Sequence, residues 1–231
     1  MKVEIYSDIA CPWCYIGKAR FERALTAFPG AGEVEVSYRP YQLDPNAPSK
    51  AVSLYEYTDR RFGPGMRPKH EQVSTMAARD GLDFHLDQAL AVNTFTAHRL
   101  LWLAEHEYGT GVQAQLKTAL LAAYFSHGRD VSDLATLVEL AGGVGMATER
   151  VREFLTGDEG VAEVRGELAD AVALGVSAVP TFVFEGKYAV QGAQEASTFL
   201  QVLEQVAAES TQVEPGTSAA GEACADGACE V

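Results

Sequence analysis

An α/β chain whose single sheet is split by a large all-helical insertion is the fold class this sequence predicts. Three observations carry it. Alternating strand patterns lie near both ends, helical periodicity fills the middle, and a Cys-x-x-Cys pair follows the first strand directly.

The first strand is "KVEIY", with Val3 and Ile5 on one face. Cys11 and Cys14 come next, and Cys14, Phe21, Leu25 and Phe28 then share one helical face up to Pro29-Gly30. "EVEVSYRPYQL" alternates again, with Val34, Val36 and Tyr38 on one side and Glu33, Glu35 and Ser37 on the other. It stops near Pro45 and Pro48. From about residue 50 to 165 the pattern is helical. Ala97, Leu101, Ala104 and Tyr108 follow a helix period behind a cap at Asn93. "VQAQLKTALLAAYF" is a second strong helix. Ser132 and Thr148 are the caps expected for two more, the last of which stops at Gly157. "VPTFVFEGKYAVQG" reads as a hairpin of Thr181–Phe184 and Tyr188–Val190, and residues 195–209 as a closing amphipathic helix. Beyond Ser210 the sequence lacks Lys and Arg and little bulk remains, which reads as a flexible acidic tail.

Bulk properties exclude several classes of function. The chain has 231 residues and a formal net charge of −14, so a phosphate backbone and an anionic membrane surface are both repelled. No nucleic-acid or membrane partner is expected. Glu4 and Asp8 interrupt any signal-peptide core, and no apolar run approaches the ~18–20 residues of a membrane span. These features point to the cytoplasm. Thiols there are kept reduced, so a close cysteine pair is more often catalytic or metal-binding than a structural staple.

The pair "CPWC" opens a helix. Unpaired N–H groups and the positive end of the helix dipole stabilise a thiolate at such a place. Pro12 suits the first turn, which needs no N–H donor from it. Cys11, at the exposed end of the turn, is expected to attack a substrate disulfide. Cys14, one turn inward, is expected to be buried and to resolve the mixed disulfide. Trp13 is expected to offer an apolar surface to substrates. Half of a zinc site is the competing reading, with "CADGAC" as the other half, but zinc knuckles lie in turns rather than at the head of a long helix. No metal or other cofactor is expected. The histidines His70, His85, His106 and His127 show no metal spacing and read as surface or satisfied core residues.

"SDIACPWCYIG" behind a first strand and "GVSAVPTFVF" near the end resemble the DsbA-like thiol oxidoreductases of the thioredoxin superfamily. "RPYQLDP", "NTFTAHRL" and "GAQ" make the chain similar to the FrnE-type members and to the related 2-hydroxychromene-2-carboxylate isomerases. The resemblance implies a thioredoxin fold interrupted by a helical domain. Residues 1–49 and 165–210 then form the thioredoxin-like domain, 50–164 the insertion and 211–231 the tail. It implies a cis bond between Val179 and Pro180, whose loop lies against the cysteine pair and receives substrate. It also places Asn93 and His98 near the active site, whereas their residue types alone suggest a helix cap and a surface polar group. Trp13 stands where the periplasmic enzymes carry histidine, so a higher Cys11 pKa and a weaker oxidant are expected than in those enzymes. Cys11 stands where the chromene isomerases typically carry serine.

Cys224 and Cys229 flank an Asp226-Gly227 turn and read as an exposed, exchange-competent dithiol. About 14 flexible residues span roughly 20 Å, so a shuttle between this pair and Cys11–Cys14 is the expectation. The function expected is that of a cytoplasmic thiol–disulfide oxidoreductase with isomerase activity. It acts on protein or small-molecule thiols and disulfides, and glutathione can serve as co-substrate. The rival readings are a small-molecule isomerase on the same fold and a redox-gated chaperone or metal-binding module.

Overall fold

The computed structural model describes residues 1–212. Strand β1 (Lys2–Ser7) runs into helix α1 (Pro12–Ala27), and β2 (Glu35–Pro40) returns parallel to β1, pairing Val3 with Val36 and Ile5 with Tyr38. The rest of the sheet comes from the other end of the chain. β5 (Thr181–Phe184) pairs antiparallel with β1, and β6 (Tyr188–Gln191) closes a four-stranded sheet of order β2-β1-β5-β6. The two ends of the chain therefore meet in one sheet. The final helix α9 (Ala196–Gln212) packs beside α1. Their shared core is aromatic: the Phe21 and Phe182 ring centroids lie 5.3 Å apart, and Phe182 and Phe199 4.5 Å. Burying such rings is the main stabilisation available to this small unit, roughly 25 cal/mol per Å2 of apolar area.

Between the halves lie β3 (Val52–Ser53), α2 (Leu54–Phe62), α3 (Arg67–Arg79), β4 (Leu90–Ala91), α4 (Phe95–Leu103), α5 (Thr110–Phe125), α6 (Leu134–Gly143), α7 (Thr148–Thr156) and α8 (Val161–Ala173). The insertion is not wholly helical, because β3 and β4 pair antiparallel. That pairing ties the start of α2 to the segment ahead of α4. After α4 the chain continues as a π-helical turn over Ala104–Tyr108.

Two helix caps differ from the sequence expectation for local reasons. The Ser132 hydroxyl is engaged by Asp130, so Asp133 caps α6 through the N–H of Thr136. Ala147 rather than Thr148 holds the cap position of α7, its carbonyl accepting the first helical bond from Val151. Asn93 does cap locally, one residue early: its side-chain oxygen accepts from the N–H of Phe95, while Thr94 occupies the cap position of α4.

Insertion and sheet share a core. Ile9, Tyr15 and Ile16 pack into the cluster built by Leu100, Leu120 and Phe125. Polar ties fix the seam. The Gln113 side chain accepts from the N–H of Tyr38 at 2.8 Å and donates to its carbonyl at 3.0 Å, which holds α5 to β2. Arg20 of α1 donates to Asp80, just past α3, at 2.8 Å and to the carbonyl of Ala193 at 2.9 Å.

Candidate active site

Cys11 ends the β1–α1 loop in extended backbone (φ −95°, ψ 112°), and Pro12 begins α1. The Cys14 N–H reaches back to the Cys11 carbonyl at 3.0 Å, which sets the two side chains on one turn. The Val179–Pro180 peptide is cis. Its loop lies over the pair, with the Cys11 Sγ 3.6 Å from the carbonyl oxygen of Val179. Pro180 itself is turned inward. A Cβ on Gly17 would stand 2.9 Å from Pro180 Cγ and 3.4 Å from Ala193, so only glycine lets α1 approach this loop so closely.

Cys11 is not the exposed thiol that its place in the turn suggests. Both cysteines are 2% exposed. The proline loop, Tyr6 and Ala171 cover them. The pair is also polarised in the opposite sense to that suggested by the helix end. The Cys11 pKa is raised well above the ordinary thiol value, first by its hydrogen bond with Cys14, then by burial and the adjacent negative charge. Burial alone would raise Cys14 too. The bond from Cys11, the Lys117 ammonium, the Ser7 hydroxyl and a backbone bond at Asp8 outweigh it, and the Cys14 pKa is lowered. The inner sulfur is the better place for negative charge.

Beneath the pair lies a closed charge cluster. Asp8 (1% exposed) accepts from the Leu43 N–H at 2.8 Å and stands 3.3 Å from His98 Nε2 (2% exposed). Burial opposes its ionisation, but His98, the Leu43 N–H and the Thr94 hydroxyl together lower its pKa. Burial lowers the pKa of His98 against the opposing pull of Asp8. His98 is thus a buried partner of the active-site loop rather than a surface group. Lys117 (1% exposed) donates to the Ser7 carbonyl at 3.5 Å, and burial lowers its pKa to about 8. Asn93 stays outside this cluster. It accepts from Gln42 at 3.1 Å and donates to the Pro45 carbonyl at 2.9 Å, fastening the loop after β2 to α4.

On the opposite side of Cys11 a cavity of about 500 Å3 opens between the proline loop and the insertion. Cys11, Pro12, Trp13 and Val179 line one wall, and Phe62 and Phe125 stand on the insertion side. Its surface is mostly apolar, with Thr58, Lys69, His70 and Ser177 as the polar exceptions. The structure thus brings Cys11, Cys14, Pro12, Trp13, Val179 and Pro180 together, with His98 beneath. Cys224 and Cys229 lie outside the described residues. Among the described residues no group of three or more His, Cys, Asp or Glu side chains could hold a metal ion.

The sequence reading missed Asp8 and Lys117. Asp8 stood in the quoted motif, three residues before Cys11. Lys117 had a visible signal: with Gln113 it forms an i, i+4 polar pair on the inward stripe of an otherwise apolar helix.

The DSBA-like thioredoxin domain matches residues 2–204. The chain belongs to that family. It is 38% identical to the probable DsbA oxidoreductase SCO1869 of Streptomyces coelicolor, with a TM-score of 0.83, covering 100% of this chain and 99% of that one. YwbO of Bacillus subtilis (strain 168), an uncharacterized protein, is 26% identical over 200 residues, 85% of this chain and 92% of its own. The cytosolic disulfide reductase DsbM of Pseudomonas aeruginosa shares the fold at 20% identity, with a TM-score of 0.62, over 92% of this chain and 98% of that one. Sheet, cysteine helix, proline loop and helical insertion are therefore those of a DsbA-like thiol oxidoreductase. No helix of the described residues is long and apolar enough to cross a membrane.

Proposed function

We propose that the chain is a thiol–disulfide oxidoreductase acting on protein disulfides in the cytoplasm. Cys11 attacks and Cys14 resolves. The observation that carries this reading is the contact of Cys11 Sγ with the carbonyl of Val179, ahead of a cis proline, at the mouth of an apolar cavity. An extended substrate strand can pair with that backbone while its sulfur meets Cys11. Disulfide isomerisation belongs to the same proposal, since it needs the same mixed disulfide on Cys11. The histidine-free Pro12-Trp13 dipeptide gives Cys11 no cationic neighbour within the motif, which favours reduction or shuffling over bulk disulfide formation.

The experiment is refolding of scrambled ribonuclease in a glutathione buffer, with wild type beside Cys11→Ser. Activity in wild type that vanishes in the variant is expected. Equal rates in both proteins would remove Cys11 from the chemistry. One observation favours a second reading: about 500 Å3 is room for a drug-sized molecule as well as a peptide. Wild type inert toward ribonuclease but turning over a chromene-type substrate with glutathione would move the assignment to a small-molecule isomerase.

A further inference from the structure

Two of the three ionisable side chains beneath the cysteine pair come from the insertion: His98 of α4 and Lys117 of α5. The third, Asp8, is spoken for by His98 and the Leu43 N–H. Lys117 differs. A fully buried ammonium is costly unless an anion or strong acceptors surround it. Its hydrogen bond is one long contact to the Ser7 carbonyl, at 3.5 Å, and its Nζ stands 5.9 Å from the Tyr38 ring centroid. The largest charge interaction that favours its ammonium form is with Cys14, ahead of Asp8 and Cys11. The Ser7 hydroxyl, which also favours the Cys14 thiolate, is buried and has no nitrogen or oxygen partner among the described residues. A buried ammonium short of acceptors, held at the Ser7 carbonyl, and the Ser7 hydroxyl thus both favour negative charge on Cys14.

We propose that Lys117, carried in by the helical insertion, is a positioning residue for the redox pair: the counter-charge of the thiolate that Cys14 becomes when it resolves a mixed disulfide. This rests on the oxidoreductase reading. In the reduced pair one proton is shared. As Cys11 attacks a substrate disulfide R–S–S–R′, that proton passes to Cys14, Cys11–S–S–R forms and R′–S⁻ leaves. The proton is then lost to water. The Cys14 thiolate attacks the Cys11 sulfur, the Cys11–Cys14 disulfide forms, and R–S⁻ leaves. The pair has given up two electrons and the substrate has gained them. Lys117 stabilises the charge at the point where Cys14 must ionise, and so shortens the life of the mixed disulfide.

Every charged group around Lys117 bears on its effect. Lys18 of α1 opposes its charge, and both lysines flank the Tyr38 ring of β2, the Lys18 Nζ at 5.8 Å. Cys11, Cys14 and Asp8 face it from α1 and the loop before it. His98, Arg39 and Glu167 line the same narrow gap.

The test is Lys117→Met beside Lys117→Arg, each followed by thiolate absorbance against pH in a Cys11→Ala background and by the reduction potential of the intact pair in glutathione buffers. Lys117→Met is expected to leave Cys14 with about tenfold less thiolate at pH 7. It should also shift the reduced-to-oxidised equilibrium by the same factor, a potential about 30 mV more negative. Lys117→Arg should keep most of both. A Cys14 titration and a potential unchanged in Lys117→Met would overturn the proposal. A wild type that forms no disulfide in any glutathione buffer would overturn the oxidoreductase reading alone, because the Cys14 titration still reads the Lys117 effect. If Lys117→Met does not fold, the reciprocal measurement uses wild type. The Lys117 side chain, followed by carbon-13 NMR, should titrate at higher pH in the reduced than in the oxidised protein. Equal midpoints would overturn the inference.

Discussion

The two sides of the cysteine pair are built to opposite rules. Outside Cys11 lies an apolar cavity, open to solvent, with Phe62 63% exposed at its rim. Inside Cys14 lie the buried side chains of Asp8, His98 and Lys117, each no more than 2% exposed. Both sides are walled largely by the insertion. The thioredoxin-like part supplies the frame: a strand end, a helix start and a proline loop. The difference teaches that the chemistry of the Cys-x-x-Cys motif is not held within the motif. Pro12 and Trp13 between the cysteines carry no charge, and the cation that favours the Cys14 thiolate comes from about a hundred residues downstream.

The most severe way to break this arrangement is to remove its anion. Asp8→Ala leaves the buried His98 ring and the Leu43 N–H without their carboxylate partner, and is expected to cost about 2–3 kcal/mol at pH 7, read by urea unfolding. The sign of its pH dependence follows from the lowered pKa of Asp8. The stabilisation is fully present above the ordinary carboxyl pKa near ~3.9 and is lost as pH falls through the lower folded value. The gap between wild type and variant should therefore close in acid. A gap that widens in acid would mean that Asp8 is not held as the carboxylate.

Next in size is a change to the frame between the two sides. Gly17→Ala sets a Cβ 2.9 Å from Pro180 Cγ. We expect a loss of about 1–3 kcal/mol from overpacking, together with slower ribonuclease refolding as the loop is displaced from Cys11. Wild-type turnover in this variant would show that the loop position is not critical. The smallest effect belongs to the outer rim. Phe62→Ser should leave stability within about 0.5 kcal/mol and leave the potential of the pair unchanged. It should slow exchange with an unfolded protein several-fold, by removing apolar contact area. A shifted potential instead would mean that the two sides are not independent.

What could be read from the sequence divides along the same line. Strand alternation at "KVEIY" and "TFVF", the helix behind Cys14 and the helical middle are local patterns, and the structure keeps them. The proline loop and the place of His98 near the site came from the resemblance, not from periodicity. Burial of Cys11 was not legible, because the loop that covers it lies 168 residues away. The polarity of the pair was not legible either: a helix terminus speaks for Cys11, whereas the hydrogen bond between the two sulfurs, with Lys117, the Ser7 hydroxyl and the Asp8 backbone behind it, favours charge on Cys14. Ser132 shows the same limit at short range, since a hydroxyl suited to capping is already held by Asp130.

The strand order has a consequence for synthesis. β1 finds β2 within about forty residues, but its other neighbour, β5, is made some 175 residues later. At ~5–20 residues per second a ribosome takes on the order of ten to thirty seconds to cover that distance. Through that interval the dithiol has left the exit tunnel with neither its roof nor, until α5 emerges, its buried cation. The redox character of the finished protein is therefore a property the nascent chain does not possess, and it arrives only with the last strands.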